Sequence, residues 1–241
     1  MIPKCLLCND IGVVTREKDG QWYGSLCHCV EQKSIECMIQ ASGLSGDERS
    51  IRFEQFEVTR QTEKMNQVVQ LYLMEFPEIF RSRTASKGMA LTGYVGTGKT
   101  MLVQAVANEL LDRKIPVIFV VTPALIGELR AAQFNASGQE IEEKILTLST
   151  VDVAIFDDVA KEKISEWVQT QYFRIVDNRY RRRLPTIFTS NHNIDGISQR
   201  LGDAVASRLY DLTKGRQVWC EADDYRLRKT ILTKASANER V

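Results

Sequence analysis

The chain has 241 residues, of which 44% are hydrophobic and 26% charged, with only 14 Gly and 5 Pro. This composition excludes a disordered chain and a mini-protein, and the length allows one large domain or one domain with a small appendage. The net charge of +1 excludes an overall electrostatic field that attracts polyanions. With only two histidines, His28 and His192, multi-histidine metal sites and histidine-relay hydrolases are poor candidates. Any nucleic-acid contact therefore requires a local basic patch.

Five of the six cysteines lie within the first 40 residues. Two residues separate Cys5 from Cys8, and one separates Cys27 from Cys29. These two short turns provide four thiolates, a ligand set suited to tetrahedral Zn²⁺. Zinc would also explain how a short segment without an evident core holds a shape. Unliganded cysteines in a loop are the alternative, and His28 could replace one thiol. The other two cysteines, Cys37 and Cys220, are expected to be small buried hydrophobic residues.

The N-terminal residues have no apolar signal-peptide core, and the longest aliphatic and aromatic run, residues 115–121, is too short to cross a bilayer. We therefore expect a cytoplasmic protein without membrane contact, where paired cysteines bind metal more often than they form disulfides. A short helix is predicted over residues 30–40 and a linker over residues 42–50. The predicted domains are a zinc-binding module, with its linker, over residues 1–50 and a larger domain over residues 51–241.

The larger domain begins with an apolar run over residues 68–80, which predicts a helix that ends at Pro77. From Lys87 onward, short apolar runs alternate with amphipathic stretches, and a last strand is predicted over residues 217–221. Buried strands separated by helices are typical of an α/β fold in which a parallel sheet has helices on both faces.

Residues 93–100 match the P-loop pattern, between a predicted strand over 89–92 and an amphipathic helix. Its glycines allow a tight turn that brings backbone N–H groups against phosphate oxygens. Lys99 is expected to contact the β and γ phosphates of ATP, and the Thr100 hydroxyl to bind Mg²⁺. The alternative, a chance glycine turn, does not explain the flanking strand and helix. The predicted residues for ATP or ADP are Gly93, Val95, Gly96, Thr97, Gly98, Lys99, Thr100 and Met101.

Two further strands end in polar side chains that fit the same site. The strand over residues 151–156 ends in Asp157, expected to hold Mg²⁺ through water, and Asp158, expected to orient or deprotonate the attacking water. A strand over residues 185–190 is followed by Asn191, at the sheet edge where ligands bind in open α/β folds. The alternatives are a solvated acidic turn for the aspartates and an ordinary turn for Asn191.

Together these elements resemble an AAA+ ATPase, and the segments GYVGTGKT, IFDDVA, PTIFTSN, RLGDAVASRL and DDYRLRK are similar to those of DnaC/DnaI-type bacterial helicase loaders. The resemblance covers residues 51 to about 230, and the cysteine module is similar to the zinc-bearing N-terminal domain of such loaders. It implies an AAA+ core without a C-terminal lid. It also implies that Asn191 is a first sensor, Arg208 an arginine finger and Arg226 a second sensor. Without the resemblance, Arg208 would be interpreted as a helix-surface charge.

The resemblance further implies a function. The protein would load a hexameric replicative DNA helicase, binding the helicase through its N-terminal module and binding single-stranded DNA and ATP through an ATPase domain that self-associates. Asp158 stands where many AAA+ proteins have Glu. Because the shorter side chain is expected to hold water less well, we expect slow hydrolysis, and we expect DNA to stimulate it. Two alternatives are an IstB-type transposition helper ATPase, which would bind a transposase, and a zinc-dependent adaptor that uses ATP as a structural switch.

Two segments are candidates for contact with DNA. One is an arginine cluster whose members could contact phosphates, although cations at a helix C-terminus are also an ordinary feature. By resemblance, the other is residues 125–148, which would carry a helical element that faces single-stranded DNA. The cluster consists of Arg174, Arg179, Arg181, Arg182 and Arg183.

Overall fold

The computed structural model describes residues 5–134, 138–161 and 163–225. The strands are β1 (Val13–Lys18), β2 (Gln21–Leu26), β3 (Met89–Gly93), β4 (Val117–Val121), β5 (Val153–Val159), β6 (Thr186–Ser190) and β7 (Gln217–Cys220). The helices are α1 (His28–Ala41), α2 (Gly46–Arg49), α3 (Glu63–Arg81), α4 (Lys99–Asp112), α5 (Thr122–Phe134), α6 (Gly138–Thr150), α7 (Glu166–Arg182), α8 (Ile194–Leu201) and α9 (Asp203–Thr213). In these ranges no helix is both long and apolar enough to cross a membrane.

The larger sheet has the strand order β4-β5-β6-β3-β7, and every neighbouring pair is parallel. Because the strands share one direction, the residues that follow β3, β5 and β6 meet at the same edge. The predicted parallel α/β fold is confirmed. The last strand ends one residue earlier than expected, at Cys220.

Helices cover both faces of this sheet, because alternate strand residues point to opposite sides. On one face, Met89 and Leu91 of β3 pack with the apolar side chains of α3 and α4. On the other face, Ala90 belongs to a second core that is formed with α5 to α9. Within the segment expected to face DNA, residues 125–134 lie in α5 and residues 138–148 lie in α6.

Helix α3 continues through Pro77 to Arg81, so the prediction that it ends at the proline is wrong. Pro77 has no N–H to donate to the carbonyl of Leu73, four residues earlier. The guanidinium of Arg113 donates to that carbonyl instead, at 2.9 Å. A side chain from the end of α4 thus replaces the backbone hydrogen bond that the proline removes.

The segment predicted to be a linker, residues 42–50, is instead ordered against the larger domain. It contains α2, which begins with a capping box formed by Ser45 and Glu48. The amide of Asn108 in α4 donates to the carbonyl of Glu48 at 2.8 Å, and the Phe119 N–H donates to the carbonyl of Ser42 at 2.7 Å. Backbone groups of the segment are therefore fixed by α4 and β4.

The N-terminal module contains a hairpin that the sequence analysis did not predict. Strands β1 and β2 pair antiparallel, from Val13 opposite Leu26 to Lys18 opposite Gln21. Asp19 and Gly20 make the turn with positive φ angles of 54° and 74°, the conformation that an Asp-Gly pair favours in a two-residue hairpin loop. Helix α1 follows the hairpin and carries Cys37, which is exposed and not buried as expected.

Arg179 is fully buried, so it is unavailable for the DNA contact considered for the arginine cluster. Its guanidinium donates to the carbonyls of Leu148 at 2.8 Å, Val151 at 2.9 Å and Pro185 at 2.6 Å, and to the hydroxyl of Thr186 at 2.9 Å. Burial lowers its pKa to about 9. This side chain joins the end of α6 to the segments that lead into β5 and β6.

Within the same cluster, the guanidinium of Arg174 forms an ion pair with Glu142 of α6, at 2.7 Å. Arg181 pairs with Asp177 at 2.6 Å, and Arg183 donates to the carbonyl of Arg83. Arg182 is exposed. The arginine cluster is therefore divided between the interior and the surface.

Replacing Arg179 by Ala is expected to lower the free energy of unfolding by at least about 3 kcal/mol, because each buried carbonyl left without a donor costs about 1–3 kcal/mol. Urea denaturation followed by circular dichroism measures this change. Arg182→Ala, at an exposed position on the same helix, is the control and should unfold at the parental urea concentration. Equal midpoints for Arg179→Ala and the parent would contradict this role.

Candidate nucleotide site and metal cluster

The P-loop connects β3 to α4 and forms a tight turn. Gly93 has φ of 134°, and a side chain there would overlap the backbone carbonyl of Cys220 in the neighbouring strand. Gly98 caps α4 with φ of 88°, and a methyl group there would lie 2.5 Å from the Phe56 ring. Both positions combine a left-handed backbone with a close neighbour, so they require glycine.

Helix α4 begins at Lys99, so its N-terminus points into the loop as predicted. Lys99 is buried, and its Nζ donates to the carbonyls of Gly93 at 2.9 Å and Tyr94 at 2.6 Å. The ammonium therefore lies inside the turn formed by the residues expected to surround the phosphates. A helix N-terminus, backbone N–H groups and a lysine in one turn provide the positive environment that a phosphate chain needs.

The two residues predicted to hold magnesium lie in direct contact. The Thr100 hydroxyl lies 3.0 Å and 3.1 Å from the two carboxylate oxygens of Asp157. Burial raises the pKa of Asp157. The hydrogen bonds from Thr189 and Thr100 oppose this increase, because they stabilise the ionised carboxylate. A buried carboxylate beside a hydroxyl fits Mg²⁺, an ion that prefers oxygen ligands and would stabilise the ionised carboxylate. When bound with ATP, magnesium neutralises charge that develops on the phosphates.

Asp158 and Asn191 also meet at this edge of the sheet. The Asn191 amide lies 3.5 Å from one carboxylate oxygen of Asp158, and the Lys161 ammonium lies 3.1 Å from the other. Asp158 has φ of 57°, an unusual value for a residue with a side chain. Backbone strain of this kind is concentrated at functional sites. The sequence analysis did not predict Lys161 as a site residue. The available signal was its position as a cation three residues after Asp158.

These groups line a cleft of about 390 Å³, within the size range of small-molecule sites. Val95 and Met101, predicted from the P-loop motif, both line it. Beside it is a smaller, mostly apolar pocket formed by Phe56, Met101 and Tyr225 with the glycines of the loop. A polar cleft at the loop and an apolar pocket next to it suit a ligand with phosphates and a planar base. The cleft is lined by Val95, Gly96, Thr97, Gly98, Lys99, Thr100, Met101, Gln104, Asp158, Lys161, Asn191 and Tyr225.

The segment after β7 passes directly over the P-loop. The Tyr225 N–H donates to the carbonyl of Gly96 at 3.0 Å, and a side chain on Gly96 would overlap the Asp224 carboxylate. Gly96 has φ of 75°, which favours glycine, so the turn allows this segment to approach the loop closely. Arg226, predicted as a second sensor, lies outside the described residues.

Arg208, predicted as an arginine finger, lies on α9 and is held by α7. Its Nε donates to the Asp177 carboxylate at 2.5 Å, and its guanidinium carbon lies 4.8 Å from the Phe173 ring centre. Although burial acts to raise the pKa of Asp177, hydrogen bonds from Arg208 and Arg181 hold it below its usual value. The Arg208 side chain keeps 28% of its surface exposed, so a fixed orientation is combined with access from outside.

The four cysteines predicted to bind zinc form one cluster. Their sulfur atoms all lie within 4.8 Å of one another, with Cys5 and Cys27 at 3.7 Å and Cys8 and Cys29 at 3.3 Å. Four sulfurs around tetrahedral zinc, with bonds of about 2.3 Å, would be separated by about 3.8 Å. The donor set and its spacing therefore fit zinc. His28 is exposed beside the cluster.

The protonation of the cluster is uneven. The Gly12 N–H, 3.4 Å from the Cys8 sulfur, contributes most to lowering the pKa of Cys8 to about 7. The contact with Cys8 raises the pKa of Cys29 to about 12. Four adjacent thiols cannot all ionise without a cation, since each thiolate disfavours the next. A divalent metal would remove this conflict.

Comparison with known proteins identifies the family to which the chain belongs. Residues 30–233 match the model of the IstB-like ATP binding proteins. The chain belongs to this family. The match begins at residue 30, so the four cysteines of the cluster precede the family segment. They lie outside the ATP-binding segment that the family model matches.

Three known proteins illustrate what this family member is similar to. The phage-like element PBSX protein XkdC of Bacillus subtilis is 25% identical over 232 residues, covering 92% of this chain and 84% of XkdC. The replicative helicase loader DnaI of the same organism is 25% identical over 168 residues, covering 69% of this chain and 52% of DnaI. The crystal structure of the DnaC helicase loader superposes with a TM-score of 0.61 at 20% identity, covering 73% of this chain and all of that one. The last similarity confirms the predicted AAA+ fold.

If zinc fills the cysteine cluster, the purified protein should contain about one zinc per chain, and Cys29→Ser should lose it because one of four tetrahedral ligands is removed. Atomic absorption after gel filtration measures the metal content. The matched control is Cys37→Ser, which changes an exposed cysteine outside the cluster and should keep the metal. Parental metal content in Cys29→Ser, or no metal in the parent, would contradict the assignment.

Proposed function

We propose that this protein is an ATP-dependent loader of a hexameric replicative DNA helicase. In this proposal the AAA+ core binds ATP and single-stranded DNA, and the N-terminal module binds the helicase. The observation that carries the ATP-dependent part is the meeting of Lys99, Thr100, Asp158 and Asn191 in one cleft of a family member, with the buried Asp157 in contact with Thr100. Similarity to DnaI, a replicative helicase loader, supports the biological role.

We infer hydrolysis from the distribution of groups around the cleft. Thr100 and Asp157 would hold Mg²⁺, Lys99 would contact the phosphates, and Asp158 would orient the attacking water. Asn191, next to Asp158, would detect the γ-phosphate. The ion pair of Asp158 with Lys161 supports slow basal hydrolysis, because the ammonium occupies one carboxylate oxygen that would otherwise be open to the attacking water.

A neighbouring subunit would complete the site. The partly exposed Arg208, aligned by Asp177 and Phe173, is suited to reach the γ-phosphate of ATP bound to the next copy and to stabilise transition-state charge. A finger needs a defined direction as well as access, and the carboxylate and ring supply that direction. The inference therefore includes self-association of the ATPase domain that depends on ATP.

The N-terminal module presents an apolar surface suited to a protein partner. Val13, Trp22 and Leu26 project from the same face of the hairpin, with Trp22 and Leu26 70% and 78% exposed. Leu6 and Ile11, in the turn before β1, are also about four-fifths exposed, at 80% and 77%. Clustered apolar side chains of this size mark interaction surfaces in soluble proteins. We name this set the hairpin face and propose that it contacts the helicase.

A second candidate is an IstB-type transposition helper, favoured by the description of the matching family. Both candidates share the ATPase core, so the core does not separate them. The cysteine cluster and the hairpin face do separate them, since both precede the matched residues and would select the partner. Capture of a transposase rather than a helicase would favour the second candidate.

Replacing Lys99 by Ala should weaken ATP binding by roughly ten- to hundred-fold, because hydrogen bonds to charged groups contribute about 1.5–3 kcal/mol. Fluorescence titration with a labelled nucleotide measures the affinity, and phosphate release measures turnover. Capture of a purified hexameric replicative helicase should remain at the parental level. Lys64→Ala, at an exposed lysine of α3, is the control. Parental turnover in Lys99→Ala would reject the phosphate-site assignment, and absence of turnover in the parent, with or without single-stranded DNA, would favour an adaptor.

Replacing both Trp22 and Leu26 by Ala should weaken helicase capture at least about ten-fold, as expected for exposed aromatic and apolar residues at the centre of an interface. The control pair, Arg16→Ala with Lys18→Ala, changes the opposite face of the same hairpin. Zinc content and ATP turnover should remain parental in both. Equal helicase capture by the two double variants would show that the hairpin face is not the contact.

A further inference from the structure

One buried hydroxyl contacts both residues of the acidic pair. Thr189 lies in β6 with no exposed surface. Its hydroxyl donates to a carboxylate oxygen of Asp157 at 2.6 Å and accepts the backbone N–H of Asp158 at 2.9 Å. A hydroxyl has one hydrogen, and a carboxylate can only accept it, so both directions are fixed. The Thr189 hydroxyl therefore donates to the side chain of Asp157 and accepts from the backbone of Asp158.

The backbone of β5 explains why this bridge is needed. Phe156 pairs with Phe188, but the next pair is Val159 with Ser190, so Asp157 and Asp158 together stand opposite Thr189 alone. This β-bulge interrupts the regular backbone ladder, and Asp158 adopts a left-handed conformation within it. The side chain of Thr189 supplies a hydrogen bond to the N–H of Asp158 where the ladder is interrupted.

We propose that Thr189 is a positioning residue for the magnesium–nucleotide site. Its hydroxyl holds the Asp157 carboxylate beside Thr100 and fixes the bulge that directs Asp158 toward Asn191. The proposal rests on the ATP hydrolysis proposed above. Asn191 lies two residues after Thr189, directly after the end of β6, so β6 both aligns the acidic pair and positions the neighbouring amide.

A purely structural role makes a different prediction. A threonine that only satisfies buried polar groups would affect stability, and its loss would weaken nucleotide binding equally with and without Mg²⁺. A positioning role predicts an effect specific to Mg²⁺, because the groups that Thr189 orients are the expected metal ligand and its neighbour. The response of nucleotide affinity to Mg²⁺ therefore separates the two roles.

The test compares Thr189→Val, which keeps the shape and removes the hydroxyl, with Thr189→Ser, which keeps the hydroxyl. Affinity for a fluorescent ATP analogue is titrated in chelator and at increasing Mg²⁺. In Thr189→Val, the Mg²⁺ concentration for half-maximal enhancement should rise about ten- to hundred-fold, while affinity in chelator stays parental. The kcat at saturating ATP should fall with little change in KM. Thr189→Ser should restore both quantities to within about three-fold of the parent.

Two further variants keep the test decisive. Thr189→Ala is a second hydroxyl-free variant, to be used if the valine disturbs folding, and it should respond to Mg²⁺ as Thr189→Val does. Thr213→Val removes another fully buried hydroxyl, away from the acidic pair, and should retain the parental Mg²⁺ response. If the parent binds and hydrolyses ATP but Thr189→Val responds to Mg²⁺ like the parent, or Thr189→Ser fails like it, the positioning role is rejected. A parent that neither binds nor hydrolyses ATP would reject the proposed function instead.

Discussion

The common direction of the strands in the larger sheet is the constraint on which the site depends. Because β3, β5 and β6 run parallel, the P-loop, the acidic pair and Asn191 are delivered to one edge from distant parts of the chain. Strand β6 lies between the other two, so the contact of Thr100 with Asp157 spans the end of β6. The polar side chains of β6 thus lie at the centre of the site, between the P-loop and the acidic pair, and influence the geometry of both.

The two edges of the sheet satisfy buried polar groups in opposite ways. At the amino-terminal edge, the guanidinium of Arg179 is surrounded by carbonyl acceptors and joins α6 to the starts of two strands. At the carboxyl-terminal edge, the buried carboxylate of Asp157 accepts from the neutral hydroxyls of Thr100 and Thr189. Neutral donors stabilise a carboxylate without cancelling its charge. The first edge is therefore suited to fixing the fold, and the second retains a negative charge that a cation can neutralise.

Much of the core was predictable because its signals are local. The P-loop, the strands that end in Asp157 and Asn191, and the cysteine pairs are each recognisable within about ten residues. The Asp-Gly pair of the hairpin turn, Asp19 and Gly20, is also a local signal. The continuation of α3 through Pro77 was not predictable in this way, because the group that compensates for the proline, Arg113, is distant in sequence. The role of Thr189 depends likewise on a bulge in another strand.

The shape of the module before the ATP-binding core depends on its cysteines. Its buried interior is made of four cysteine side chains, with Val14 packed against them, whereas Trp22 and Leu26 point outward. A hairpin that buries so little apolar surface is marginally stable in water on its own. The shape of the hairpin face must therefore depend on what holds the cysteines together, and a metal bound by thiolates supplies folding free energy directly. Partner recognition through this face would then require the metal, although the cysteines that would bind it lie behind the face and need not contact the partner.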